Sequence, residues 1–150
     1  KNFVVLLALV LAVSASYEDS KVYGLNKDNY FEFANNGTWM MKLYANCVDI
    51  VENVASLEEA AAALDGLVKV GAIDLAVERV DIGGIQGFPT IRFIHNGEFK
   101  PYSGGRSVKD IVDFALYEAE KVGALPPNAQ RIAYERLGLG VPEPAAAEPV

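Results

Sequence analysis

Two rhythms of apolar and polar positions alternate along this chain. Lys21-Val22-Tyr23-Gly24 forms a short strand-like run. Asn26 is suited to cap a helix through Ala34, with Tyr30, Phe33 and Ala34 on one face and Gly37 closing it. Trp39-Met40-Met41-Lys42-Leu43-Tyr44-Ala45 is nearly all apolar between polar turns, which predicts a central strand. Ile50, Val54, Leu57, Ala61 and Leu64 then recur at spacings of three and four until Gly66, which predicts a helix. Leu67-Val68-Lys69-Val70-Gly71-Ala72-Ile73-Asp74 is a second central strand. Residues 75–85 are ambiguous, with room for one or two helical turns ending at Gly83-Gly84. Thr90-Ile91-Arg92-Phe93-Ile94 and Glu98-Phe99-Lys100-Pro101-Tyr102 flank His95-Asn96-Gly97, and Asn-Gly between two such runs signals a hairpin. Ser107, with Asp110 three residues on, opens a last amphipathic helix through Val108, Ile111, Val112, Leu116 and Ala119. The order is βαβαβ, a bridging segment, then ββα.

The two ends read differently. Lys1 leads into an apolar run from Phe3 to Val13 and then the small residues Ser14, Ala15 and Ser16. A basic start, a short apolar stretch and a small-residue boundary predict a signal peptide over residues 1–16, with the mature chain beginning near Ser16 or Tyr17. The run is short for a bilayer span, and no later segment is long and apolar enough to anchor the chain once the leader is removed. A folded domain is expected over residues 17–122, followed by an extension over 123–150. Within that extension Leu125-Pro126-Pro127 interrupts the chain, residues 128–137 can form one short helix, and residues 142–150 are a Pro/Ala-rich tail or linker.

Length and composition narrow the function classes. The chain has 150 residues, 51% of them hydrophobic, enough for one domain with a real core. Its net charge of −7, with no cluster of Lys and Arg, argues against nucleic acid as a partner. Asn36-Gly37-Thr38 is an N-glycosylation acceptor, which gains weight from the leader. Cys47 is the single cysteine, so no disulfide can form within the chain, unusual for a protein of an oxidising compartment. No Cys/His cluster predicts a metal site, and no motif calls for a cofactor; Gly83-Gly84 lacks the Lys-Ser/Thr of a phosphate loop.

At Lys42-Leu43-Tyr44-Ala45, Gly87-Phe88-Pro89-Thr90 and Tyr102-Ser103-Gly104-Gly105-Arg106 the chain resembles the protein disulfide isomerase family, over about residues 20 to 122. The resemblance implies an α/β thioredoxin-like fold, with a central mixed β-sheet flanked by helices. It also implies a cis peptide before Pro89, and the leader predicts a location in the endoplasmic reticulum lumen or secretion. The family reads Tyr-Ala-Pro-Trp-Cys-Gly-His-Cys after the central strand, whereas this chain reads Tyr44-Ala45-Asn46-Cys47-Val48-Asp49-Ile50. Either Cys47 takes the place of the family's first cysteine and Ile50 that of the second, or Cys47 replaces the tryptophan and neither cysteine survives. The family's buried glutamate is matched by Lys42, and the bridging segment before Gly87 is about two residues short. Arg106 matches the arginine the family keeps near its thiolate.

A dithiol oxidoreductase needs a second thiol to store a disulfide or release a trapped substrate, so this chain cannot run that cycle alone. One expectation is a redox-inactive domain that binds unfolded or partner polypeptides through Val48, Ile50, Phe88, Pro89 and Thr90, since the family's cis-proline loop offers backbone groups to an extended peptide. Another is a monothiol factor in which Cys47 attacks client disulfides, its thiolate favoured by the start of a helix and by Lys42 or Arg106. Against that, a Cys between strand and helix also serves as inert packing. A third is a structural module of a larger assembly. Phe88 and Pro89 can equally be core and turn, and His95, the single histidine, reads as a solvated hairpin residue.

Overall fold

A computed structural model of the chain describes residues 20–45 and 51–140. The predicted leader, Cys47, Val48 and Ile50 lie outside the described residues, as does the tail from residue 141. Five strands, β1 (Tyr23–Leu25), β2 (Thr38–Tyr44), β3 (Lys69–Asp74), β4 (Thr90–His95) and β5 (Glu98–Tyr102), form one mixed sheet in the order β1-β3-β2-β4-β5. Among the described residues four helices accompany them: α1 (Tyr30–Ala34), α2 (Val51–Ala63), α3 (Val108–Lys121) and α4 (Ala129–Leu137). β1 and β2 run parallel to β3, while β4 is antiparallel to both β2 and β5.

The unbroken apolar run of β2 follows from its place. It is hydrogen-bonded on both edges and covered on both faces, so there is no solvent side for polar alternation to mark. Its even positions Met40 and Tyr44 join Val70, Ala72, Ile91 and Phe93 beneath α2 and α3, against Leu57, Ala61, Leu64, Val112 and Ala115. Its odd positions Trp39, Met41 and Leu43 join Leu25, Ile73 and Ile94 beneath α1, with Ile82 of the bridging segment. A one-residue slip of β2 would exchange these two sets and leave neither layer packed.

The helices depart from expectation in small ways with local causes. The Asn26 carboxamide accepts from the amides of Asp28 and Asn29, and the Asn29 side chain accepts from the Asn26 amide. This reciprocal knot holds a turn, and α1 starts only at Tyr30. At α3 the Ser107 hydroxyl accepts from the Asp110 amide at 3.1 Å, as the capping pattern predicts. Residues 75–85 contain no helix. One turn after β3 is pinned by Asp74, whose side chain accepts from the Ala76 amide and whose carbonyl accepts from Val77 and Glu78. The chain then runs irregularly so that Val80, Ile82 and Ile85 can pack on the α1 side of the sheet.

α4, beyond residue 122, packs on the same core through Ala129 and Ala133. Its Arg136 guanidinium donates to the carbonyls of Ala63 and Asp65, at 3.1 and 2.7 Å, capping the end of α2 where carbonyls lack helical partners. The Tyr134 hydroxyl donates to Asp113 of α3 at 2.5 Å.

Gly71 marks the tightest approach inside the sheet. A Cβ there would lie 2.9 Å from Met41 Sδ, 3.2 Å from the Trp39 ring and 3.3 Å from Leu25. Gly71→Ala therefore overpacks the α1-side layer. It is expected to lower unfolding free energy by about 1–3 kcal/mol, read as a lower urea midpoint with an unchanged m-value.

Candidate functional site

The register of β2 and β4 determines where the site assembles. Leu43 pairs with Thr90, so Pro89 continues off the sheet beside the end of β2 at Tyr44. β4 and β5 are antiparallel with Ile91 opposite Tyr102, so the turn carrying residues 103–106 leaves at that same end. β2 itself ends at this rim, and Ala45, two residues before Cys47 in the sequence, follows it there. The cis-proline loop, the turn of residues 103–106 and the end of β2 thus lie at one rim of the sheet.

The Phe88–Pro89 peptide is cis. The Thr90 hydroxyl donates to the Gly87 carbonyl at 2.6 Å and closes this loop on itself. Phe88 is 44% exposed, so it is not part of the core, while Pro89 and Thr90 are half-buried. An exposed aromatic ring on a loop tied from both sides costs little further order when a partner covers it.

The turn after β5 is built around Tyr102. Its hydroxyl donates to the Gly105 carbonyl at 2.5 Å, and its ring lies against Phe114 with centroids 4.7 Å apart. A Cβ at Gly104 would fall 2.7–2.8 Å from the Tyr102 ring and hydroxyl, which is why glycine stands there. Burial pushes the Tyr102 phenol above its ordinary pKa, with Asp110 adding to the shift and Arg106 opposing it. Arg106 follows this turn and is itself exposed.

Lys42, 1% exposed in the middle of β2, lies over the Tyr44 ring with Nζ 5.2 Å from its centroid. Lys42 and Arg106 line one cavity of about 10 Å³ with Ser56, Leu57, Ile91 and Ile111. That is room for about one water. The structure thus brings Arg106 and Lys42 together beneath this rim and places Phe88, Pro89 and Thr90 on the loop beside it. A larger groove of about 990 Å³ between α3 and α4, lined by Tyr117, Pro126, Pro127 and Arg131 among others, includes none of the site residues named from sequence. Among the described residues no group of His, Cys, Asp and Glu could hold a metal ion, and no helix is long and apolar enough to cross a membrane.

Arg92 is the site residue that periodicity passes over. It is 3% exposed, on the α1 side of β4. Its Nη2 donates to the Gly83 carbonyl at 3.0 Å, and its guanidinium stacks on the Phe99 ring at 3.9 Å. Gly84, at φ +80°, packs against both groups; a Cβ there would lie 3.1 Å from Phe99 and 3.3 Å from Arg92. Burial pulls the Arg92 pKa below its ordinary value, Tyr30 opposing, and its buried Nε has no hydrogen-bond partner. The side chain therefore clamps the segment that leads into the cis-proline loop. A lone charge within Ile91-Arg92-Phe93-Ile94 is the signal in the sequence, since charges are almost never fully buried without a partner.

The chain is similar to known proteins in sequence and in fold. It is 37% identical over 115 residues to protein disulfide-isomerase A6 of Mesocricetus auratus, spanning 71% of this chain and 26% of that protein. It is 32% identical over 133 residues to the protein disulfide-isomerase A6 homolog of Caenorhabditis elegans, spanning 77% and 30%. The chain thus spans less than a third of the length of these relatives. Its fold is similar to the J-Trx1 fragment of ERdj5, with a TM-score of 0.63 at 24% identity, over 70% of this chain and 55% of that one. It is also similar to the zinc-bound form of human ERp44, with a TM-score of 0.55 at 23% identity, over 65% and 31%. No protein-family model matches the chain.

If Arg92 clamps the bridging segment, Arg92→Lys removes the planar fork that stacks on Phe99 while donating to Gly83. The variant is expected to lose about 1–2 kcal/mol of stability. Amide exchange over residues 84–87 should accelerate more than that over β2, measured by hydrogen exchange.

Proposed function

The chain carries a thioredoxin-like domain of the protein disulfide isomerase family, and we propose that this domain binds extended polypeptide at the cis-proline rim without two-cysteine redox chemistry. The observation behind this reading is the exposed Phe88 ring beside Pro89 in a chain whose one cysteine is Cys47. The rim offers an apolar ring and the backbone of residues 87–90, which suits an unfolded or partner polypeptide read mainly through its main chain. The leader pattern over residues 1–16 supports a location in the lumen of the secretory pathway.

The test uses a fluorescent unfolded polypeptide with every thiol alkylated. The chain is expected to bind it, with equal affinity in Cys47→Ser and about tenfold weaker in Phe88→Ser, as for loss of a contact of about 1.4 kcal/mol. Undiminished binding by Phe88→Ser would remove the cis-proline loop from the account. Oxidative refolding of a reduced substrate should proceed no faster with the chain than without it.

A second reading rests on Lys42 and Arg106, two cations lining one cavity under the rim where β2 ends, Ala45 standing two residues before Cys47 in the sequence. Cations favour a thiolate. In this reading the Cys47 thiolate attacks one sulfur of a client disulfide, a new S–S bond forms, and the other client sulfur leaves as a thiolate. Release then requires an external thiol, because the chain has no second cysteine. Rapid alkylation followed by non-reducing gels separates the readings. Adducts that vanish in Cys47→Ser assign it this role, and a free thiol under oxidising and reducing conditions assigns it to packing.

A further inference from the structure

The end of the sheet opposite the cis-proline rim carries a second feature that polypeptide binding does not use. Asn36 is exposed in the turn between α1 and β2. The seven residues of β2 separate it from the rim by about 20 Å. Its Nδ2 donates to the Glu32 carbonyl at 2.7 Å, and its own carbonyl accepts the indole N–H of Trp39 at 2.9 Å. The next residue is tied to the β4–β5 hairpin in both directions: the Gly37 amide donates to Asn96 Oδ1, and the Asn96 amide donates to the Gly37 carbonyl, each at 2.9 Å. Gly37 sits at φ +92°, a conformation glycine adopts without strain. The turn is therefore rigid and aims the Asn36 side chain in one direction.

Two further aromatic rings pack on Trp39, whose indole bonds the Asn36 carbonyl. Phe33, three residues before Asn36, is 5.6 Å from Trp39 and 6.2 Å from Tyr23 between centroids, and Tyr23 lies edge-on to Trp39 at 5.1 Å. Trp39 is fully buried, but Tyr23 is 45% exposed. A groove of about 360 Å³, lined by Tyr23, Gly37, Thr38 and Lys69 among others, begins at the residues that follow Asn36. This volume falls within the range of roughly 300–1,000 Å³ found for small-ligand sites. The face of an aromatic ring carries negative charge and attracts the C–H bonds on the apolar face of a sugar ring.

We propose that Asn36 carries an N-linked glycan whose first sugar is seated against Tyr23 and Phe33. The acceptor triplet Asn36-Gly37-Thr38 supplies the chemistry. A C–N bond forms between Nδ2 and the anomeric carbon of a lipid-linked diphospho-oligosaccharide. The anomeric C–O bond to the diphosphate breaks, the amide gives up one proton, and the lipid diphosphate leaves without any change of oxidation state. One N–H remains on Nδ2, so the bond to the Glu32 carbonyl survives and orients the sugar. In the folded chain the Thr38 hydroxyl is engaged with His95 Nδ1 at 2.9 Å, so attachment precedes folding. The glycan covers the exposed half of Tyr23 and leaves the cis-proline rim open.

The inference rests on the lumenal location proposed above, and the test separates the two. The full chain is expressed in eukaryotic secretory cells both behind its own first residues and behind a leader of known efficiency. Behind the known leader, the expected product shows a mass shift that an amide-cleaving glycosidase removes, converting Asn36 to aspartate. The shift should be absent in Asn36→Gln and in Thr38→Val. Product recovered from the lumen with Asn36 unmodified overturns the site. Glycosylation behind the known leader only supports the site and counts against the chain's own first residues as a leader. For the seat, the glycosylated chain should melt about 3 °C above the same chain made without the glycan, in which Asn36 keeps its carboxamide. Tyr23→Leu, which keeps apolar bulk but removes the ring, should lose that difference. An equal difference in Tyr23→Leu overturns the seat.

Discussion

The structure depends on β2 being buried on both faces and bonded on both edges. Every layer is defined against it. Met40 and Tyr44 face one set of helices, Trp39, Met41 and Leu43 face the other side, and β3 and β4 take their register from its backbone. Such a strand tolerates neither slippage nor a bulky neighbour, and Gly71 gives way across from Met41 for that reason. With β2 held, the end of the strand is a fixed point. Pro89 and the turn before α3 converge there because the sheet order and strand directions leave them no other exit.

Charges placed inside this frame are costly, and the two cations buried in the described sheet serve different faces. Lys42 lies beneath the rim on the helix-covered side and shares its cavity with Arg106. Arg92 lies on the opposite face and is spent on one carbonyl and one aromatic ring, with its Nε left without a partner. An orphaned buried donor carries a desolvation penalty on the order of 1–3 kcal/mol. At that cost Arg92 holds the bridging segment against the sheet without helical hydrogen bonds of its own. The loop of residues 87–90 inherits its position from that clamp at one end and from β4 at the other.

Much of this is legible in the residues, and the parts that are not have physical reasons. The central strands, the hairpin at Asn96-Gly97 and the cap at Ser107 rest on local chemistry that tertiary context does not override. The start of α1 is less legible because Asn26 and Asn29 can each serve the other's backbone, and the resulting turn competes with a first helical turn. Residues 75–85 carry apolar side chains at spacings compatible with a helix. What settles them is the reach of Arg92 to the Gly83 carbonyl, a contact nine residues away that no local pattern contains. In the site, the cluster of Phe88, Pro89 and Thr90 follows from sequence, whereas the exposure of Phe88 and the sharing of one cavity by Lys42 and Arg106 emerge only when β2, β4 and β5 are set side by side.

The central claim is that the cis-proline rim is a polypeptide-binding edge that works without thiol chemistry. Its most direct test is residue-resolved hydrogen exchange on the chain saturated with a cysteine-free unfolded polypeptide, repeated with Cys47→Ser. The account predicts new protection at the amides of residues 87, 88 and 90, equal in both proteins, and none along the exposed edge of β5 or the groove between α3 and α4. Protection that appears along β5 instead, or that disappears with the Cys47 sulfur, would contradict it.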